Sequence, residues 1–559
     1  MIIGRLSRRM PAAEAFLGVA LAVAVAWLGL LPLLRLAAAA VWASGDVFAS
    51  PSVVRALLRS VVTSLGGALV ALALGGAYAS VVALTDAGAR RLLSIAALLP
   101  LLIPAQIIAL AWMQMLSPGG PLPGWFGAGD DALYSGWGIT LLLGVEHMPI
   151  VFLAARAALA GIPGELIEAA RAGGARRARV LRRIVLPLAS PGLIAGFGLT
   201  VVACLGSFGV PAMLGIPGRY PTLAVLIYQR LTGFGQAMLP DAAALALGLA
   251  ILSAAAALAT GWVARRVDAA TIGGGAGGTC QIELGAWRAP VTLGLLTVSA
   301  VVMVLPLASL VATSVSRAYG VPLRPATATF DHYVTVLHTA ETWRAFITSA
   351  WLAGAAAMAG VAVAIPAALL RSWGDRAWLR RLIGSLDPII DAPYALPGIV
   401  LAIGMILLYS RPLPMLRISL YGTPWIMLLA YIPRFLPLAV RPVQAALARI
   451  DPVMDEAARA QGARFFRRMF AIAVPLLGPG AAAAGILVLL TSFGELTVSA
   501  LLWSPGHETV GVLIFSLNEG GNIAEAAAVS VLCLMFLFLV AGLTALLPAS
   551  AWRVLPWSG

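Results

Sequence analysis

The sequence predicts an all-α integral membrane protein of about twelve transmembrane helices, arranged as two parallel repeats of six. Three observations carry this. The 559 residues are 61% hydrophobic and only 11% charged, with a mean hydropathy of +0.96. Apolar runs such as Phe16 to Trp42 and Ser530 to Leu547 recur along the chain, and a bilayer span needs roughly 20 such residues. A nine-residue polar segment, Glu168 to Arg176, returns at Glu456 to Arg464. A soluble enzyme and a disordered scaffold are both excluded by the composition.

The formal net charge of +14 comes from 37 basic residues, all arginine. They cluster between apolar runs, which follows the cytoplasmic bias of basic residues and not nucleic-acid binding. With no lysine there is no phosphate-binding loop of the G-x-x-x-x-G-K-[ST] type. Cys204, Cys280 and Cys533 are too far apart in sequence for a disulfide framework or a zinc motif.

The first apolar stretch follows Arg5, Arg8 and Arg9. At roughly 27 residues it is too long for the 7 to 15 residues of a signal-peptide core, so it reads as a retained first span with a cytoplasmic N-terminus. Further spans are expected near 56–84, 92–116, 136–160, 186–214 and 241–264, the first covering 15–43. The second six fall near 291–315, 345–371, 382–410, 423–447, 474–503 and 525–548. This count puts Arg90 and Arg91, Arg171 to Arg183, Arg265 and Arg266, Arg371 to Arg381 and Arg459 to Arg468 on the cytoplasmic side, together with both termini.

Between the sixth and seventh spans Thr271 to Thr279 reads Thr-Ile-Gly-Gly-Gly-Ala-Gly-Gly-Thr. It follows no strand and opens no helix, so it is expected to be a flexible linker. The chain therefore divides into a first half at 1–268, a linker at 269–288 and a second half at 289–559.

The repeat has a shift of 288 positions, from Glu168 to Glu456. The same shift carries Ile162 to Ile450, Gly174 to Gly462, Pro187 to Pro475 and Pro191 to Pro479. Ser207-Phe-Gly209 returns at a slightly different shift as Ser492-Phe-Gly494. Both arginine-rich copies should face the same side, so an even number of spans separates them and the halves are parallel repeats. Glu-Ala-Ala-Arg-Ala is strong helix-forming sequence. The Gly four residues beyond the second Ala ends or bends that helix, and Pro187 or Pro475 opens the next span. Charge bias alone fixes no such order of residues.

Glu-Ala-Ala, three residues, Gly, then a run ending in Leu186-Pro-Leu188 or Val474-Pro-Leu476 resembles the EAA loop of permease subunits of binding-protein-dependent ABC importers. The resemblance implies a type I importer permease fold, with EAA loops near 164–183 and 452–471. It also implies that each loop forms a coupling helix docking on a cytoplasmic ATPase subunit. Glu168, Ala169, Ala170 and Gly174 would then touch one ATPase copy, and Glu456, Ala457, Ala458 and Gly462 the other. ATP and magnesium would sit on those two subunits, with no cofactor on this chain. A periplasmic or extracellular solute-binding protein would deliver the substrate, in a bacterial inner membrane. The two copies depart from each other where Gly173 faces Gln461 and Ile167 faces Asp455.

The fusion of both halves is similar to permeases of ferric-iron importers and of the thiamine importer. Gly209 to Gly215 with Tyr220 to Leu223, and Gly494 to Leu502 with Pro505, Gly506, Glu508 and Thr509, look more like the ferric-iron branch. Ferric iron is the expected substrate, with thiamine, aminoethylphosphonate and polyamine as alternatives.

Charged residues inside a bilayer are expensive and often functional. Glu146 with His147, Arg434 and Glu495 are the candidates for the pathway or its gate. At the repeat shift Glu146 falls on Arg434 and Pro149 on Pro437, which suggests a pair across the pathway; local pairing of each near an interface is the alternative. Glu495 suits either a pathway-lining or a structural role. Asp331, His332, Tyr333 and His338 read as an interfacial helix and not as a metal site. An ion-coupled secondary transporter would also suit twelve spans and buried carboxylates, but would not call for two matched loops. A membrane enzyme would need a convergent cluster that the scattered His147, His332, His338 and His507 do not supply.

Overall fold

The computed structural model describes residues 2–43, 45–120, 132–233, 238–267, 282–412 and 419–544. The expected linker at Thr271 to Thr279 and the C-terminus lie outside these residues. Among them, ten continuous helices are long and apolar enough to cross a membrane. They match the first, second, fourth to eighth and tenth to twelfth expected spans. Helix is what the bilayer requires of such segments, because only there does every backbone N–H find a carbonyl within its own segment.

The third and ninth spans, expected near 92–116 and 382–410, are broken. Arg90–Leu102 turns by 105° into Ala105–Leu116, and Ala377–Ala395 turns by 105° into Gly398–Tyr409. Each break is centred on an X-Pro step, Ile103-Pro104 and Leu396-Pro397, with both residues of each step in extended backbone. Proline lacks the amide that would continue the helix and pushes its predecessor out of the helical region. The fifth and eleventh spans also stop short of their expected ends. Leu186–Gly206 gives way at Ser207-Phe208 to a separate short helix, Gly209–Gly215. Val474–Phe493 is followed by turns and the four-residue helix Ser499–Leu502.

Those two spans begin earlier than the Leu-Pro-Leu signal suggests. Leu181–Val185 and Met469–Ala473, related by the repeat shift, are single π-helical turns that run without a break into the spans. The Leu186 and Val474 amides donate to Leu181 and Met469, five residues back. The seventh span has the same device at Ala300–Val304, ahead of Pro306. A proline ring clashes with the carbonyl four residues earlier in an α-helix, and the wider turn makes room for it. Proline here sits inside a continuous helix and does not open one.

The two repeats exchange their outer helices. The first span packs on the second repeat, where Leu21, Ala22 and Val25 share a core with Leu379, Tyr409 and Phe435, and Trp27 donates to the Tyr409 hydroxyl at 3.0 Å. The seventh span packs on the first repeat, with the Tyr78 hydroxyl donating to the Leu295 carbonyl at 2.6 Å and Trp112 to that of Val302 at 3.2 Å. At the centre the breaks of one repeat meet the breaks of the other. The Pro104 ring lies so close to Gly494 that a Cβ there would be 2.2 Å from its Cγ, and Pro397 sits on Gly206. Gln106 closes the seam by donating to the Gly494 carbonyl at 2.9 Å.

Candidate functional site: paired surface helices and the polar groups between the repeats

Each EAA segment forms a nine-residue helix, Gly164–Ala172 and Pro452–Ala460. Both end in the same hydrogen-bonded cap. The Gly174 amide donates to Arg171 at 2.9 Å and the Ala175 amide to Ala170 at 3.0 Å; their counterparts run from Gly462 to Arg459 at 2.8 Å and from Ala463 to Ala458 at 2.9 Å. This cap requires left-handed backbone at the residue after the cap position, and Gly174 and Gly462 have φ of +80° and +78°. A Cβ at either glycine would meet nothing within 4 Å. Backbone conformation, not crowding, is therefore the reason for glycine. Gly173 and Gln461 stand at the preceding position with φ of −74° and −82°, where any residue fits.

The helices turn the glutamate, the first alanine and the glycine of each motif to the outside. Glu168, Ala169, Glu456 and Ala457 are exposed, Ala170 is half-buried and Ala458 is buried. Their undersides differ in kind: Ile167 sits in an apolar cluster, whereas Asp455 is buried among arginines. Beside the second helix a cavity of about 630 Å³ opens, with Arg371, Arg441, Glu456 and Arg459 in its wall.

Glu146 and Arg434 are not brought together as a pair. Glu146 accepts from the Ser207 hydroxyl at 3.2 Å and lies 3.7 Å from the His147 ring. It thus faces the break after the fifth span. Arg434 donates to the carbonyls of Pro393, Tyr394 and Leu396 at 3.0, 3.1 and 2.6 Å, which are the acceptors left free where the ninth span breaks. The two residues keep their pseudo-symmetric places, and each serves a helix break in its own repeat. Glu495 accepts from the Val498 amide at 2.8 Å, the Ser499 amide at 3.1 Å and the Ser499 hydroxyl at 3.1 Å. It caps the helix Ser499–Leu502, and Ser499 in turn bonds Tyr431 of the tenth span at 2.6 Å.

Asp331–His338 is a short helix in which the His332 ring bonds the Ser316 carbonyl at 2.9 Å and Tyr333 bonds Ser314 at 2.8 Å. Among the described residues no group of three or more His, Cys, Asp and Glu is placed to hold a metal ion. Sequence reasoning missed Gln106 and Asp375 and read Arg468 only as part of a cytoplasmic basic cluster. The one available signal for the last was an arginine at the place where the first repeat has Val180.

Comparison with known proteins agrees with this arrangement. A family model described as "Binding-protein-dependent transport system inner membrane component" matches residues 67–273 and again 360–551. The "Probable ABC transporter permease protein y4fN" of Sinorhizobium fredii is 28% identical over 457 residues, 78% of this chain and 77% of that protein. The "Putative 2-aminoethylphosphonate transport system permease protein PhnV" of Salmonella choleraesuis is 32% identical over 259 residues, 46% of this chain and 90% of its own. The "Fe(3+)-transport system permease protein FbpB 2" of Haemophilus influenzae is 25% identical over 34% of this chain and 36% of its own. With the family's unit matched once in each repeat, the chain belongs to the inner-membrane permeases of binding-protein-dependent transport systems and carries two such units in one polypeptide.

Proposed function

We propose that this chain forms the whole translocation pathway of an ATP-driven importer and is moved by two copies of a cytoplasmic ATPase. The observation that carries the reading is the pair of exposed helices with identical caps, one per repeat. Glu168, Ala169, Ala170 and Gly174 form one docking surface, and Glu456, Ala457, Ala458 and Gly462 the other. ATP and magnesium are bound by the partner subunits, and a solute-binding protein engages the opposite face. Both termini lie in the cytoplasm, and the Gly-rich segment within 269–288 links halves at 1–268 and 289–559. Glu146, Arg434 and Glu495 stabilise helix breaks beside the pathway, where a change of break geometry opens or closes it.

The physical requirement is that nucleotide on the ATPase pair favours one state of the permease over the other. For the cargo, the segments after Gly209 and Gly494 point to ferric iron, while the more extensive relative in its own length, at 90%, is named for 2-aminoethylphosphonate. Proteoliposomes holding the chain, its ATPase and its binding protein decide both matters. Uptake of iron or aminoethylphosphonate that needs internal ATP supports the importer. Uptake driven by a proton gradient without ATP would instead favour an ion-coupled transporter.

A further inference from the structure

The two surface helices rest on different chemistry. Under the first, Ile167 is buried in an apolar cluster with Leu159, Val180 and Val185. At the repeat shift Ile167 and Val180 become Asp455 and Arg468, 6% and 1% exposed. The Arg468 guanidinium binds Asp455 with one nitrogen, and Asp375 with the other, which also reaches the Trp373 carbonyl at 3.3 Å. Arg459, on the surface helix itself, lies 2.8 Å from Asp455 and donates to the Trp373 carbonyl at 2.8 Å. Trp373 ends the eighth span and Arg468 lies at the root of the eleventh. One ionic knot therefore holds the surface helix and two spans.

The knot has a further strand. The Asp375 amide donates to the Glu14 carboxylate at 2.9 Å. Glu14 is 3% exposed and lies on the first span, which belongs to the other repeat. Asp455, Arg468, Asp375 and Glu14 thus form a continuous polar path from the second surface helix to the span that the first repeat lends to the second.

Stability gives little reason for this path. A buried ion pair is often no more stable than a well-packed apolar pair of similar volume, and the first repeat shows the apolar solution at the same two positions. A planar guanidinium fork does fix direction, because it holds several acceptors at once in a set geometry. We propose that Arg468 is a positioning residue that ties the second docking helix to the first span through Asp375 and Glu14. Movement of that helix then reaches the first span, the outer helix that the first repeat lends to the second, while the first docking helix acts through the packing of Ile167. The inference rests on the docking role proposed above.

Hydrogen–deuterium exchange of the full chain, copurified with its ATPase and read with and without Mg-ATP plus vanadate, tests both levels. In the unaltered protein nucleotide should change exchange at 456–462, at 373–376 and at 13–17. In Arg468→Met the response at 456–462 stays, and the two distant responses fall by on the order of tenfold, a usual size for coupling between sites. That variant leaves Asp455 without its main partner, so Asp455→Ile with Arg468→Val, which installs the first repeat's pair, is measured beside it. Loss of the distant responses in both, with partial recovery in Arg468→Lys, supports the path. Undiminished distant responses in either folded variant overturn it. If no ATPase copurifies, or 456–462 does not respond in the unaltered protein, the docking reading itself fails and takes the path with it.

Discussion

Replacing Gly462 by valine isolates what the cap of the proposed docking helix contributes. With φ at +78° and no atom within 4 Å of a Cβ, the substitution introduces no clash, only a backbone conformation that L-residues avoid. Left-handed backbone costs an ordinary residue about 1–2 kcal/mol, and a β-branched one falls at the upper end. The two cap hydrogen bonds at 2.8 and 2.9 Å form only with that backbone, so the helix end frays when the residue relaxes. About 1–2 kcal/mol corresponds to roughly a 5- to 30-fold loss in the population of the capped end. Titrating the purified ATPase onto the chain in nanodiscs should show weaker association by that factor for Gly462→Val, and likewise for Gly174→Val. Gly462→Asn should recover most of it, because asparagine tolerates the left-handed region. Gly173→Gln, where φ is −74°, should bind like the parent. The reasoning is refuted if valine binds as tightly as glycine, or if asparagine is as damaging as valine.

Three further outcomes follow from the interior. Gly494→Ala places a Cβ against the Pro104 ring and should destabilise the protein by about 1–3 kcal/mol, as overpacking does; Gly485→Ala, whose nearest neighbour atom is 3.5 Å away, should leave the thermal midpoint unchanged. Glu146→Arg and Arg434→Glu should each reduce uptake, and the double reversal should not restore it, since the two side chains bond different breaks; rescue would show that they do pair. Glu495→Ala removes the cap of Ser499–Leu502 and should cost about 1 kcal/mol, typical of a lost N-cap, visible as faster amide exchange at 498–502 while the rest of the eleventh span stays protected.

The spans were legible because bilayer crossing imposes length and composition on each one separately. The two surface helices were legible too, down to the glycine that caps them, because that cap is local and needs one residue type. The breaks at Pro104 and Pro397 were only half legible. Proline announces a discontinuity, but a turn of 105° is set by what the second piece packs against, and that piece lies on the opposite repeat. Arg434 was marked as costly by its place in an apolar span, yet its partners are carbonyls freed by a break elsewhere in the chain. Sequence pattern does not reveal such acceptors. The exchange of outer helices was hidden for a similar reason, since Glu14 and Asp375 are 361 positions apart.

The proposal at the centre is that one chain is moved by an ATPase pair through two docking places, one in each repeat, in a single assembly. Native mass spectrometry of the complex extracted gently from its own membranes tests it most directly. The account predicts one copy of this chain with two copies of an ATPase, falling to one copy when the Glu-Ala-Ala helix of either repeat is disrupted. A chain that emerges alone, or an assembly indifferent to both disruptions, would contradict it.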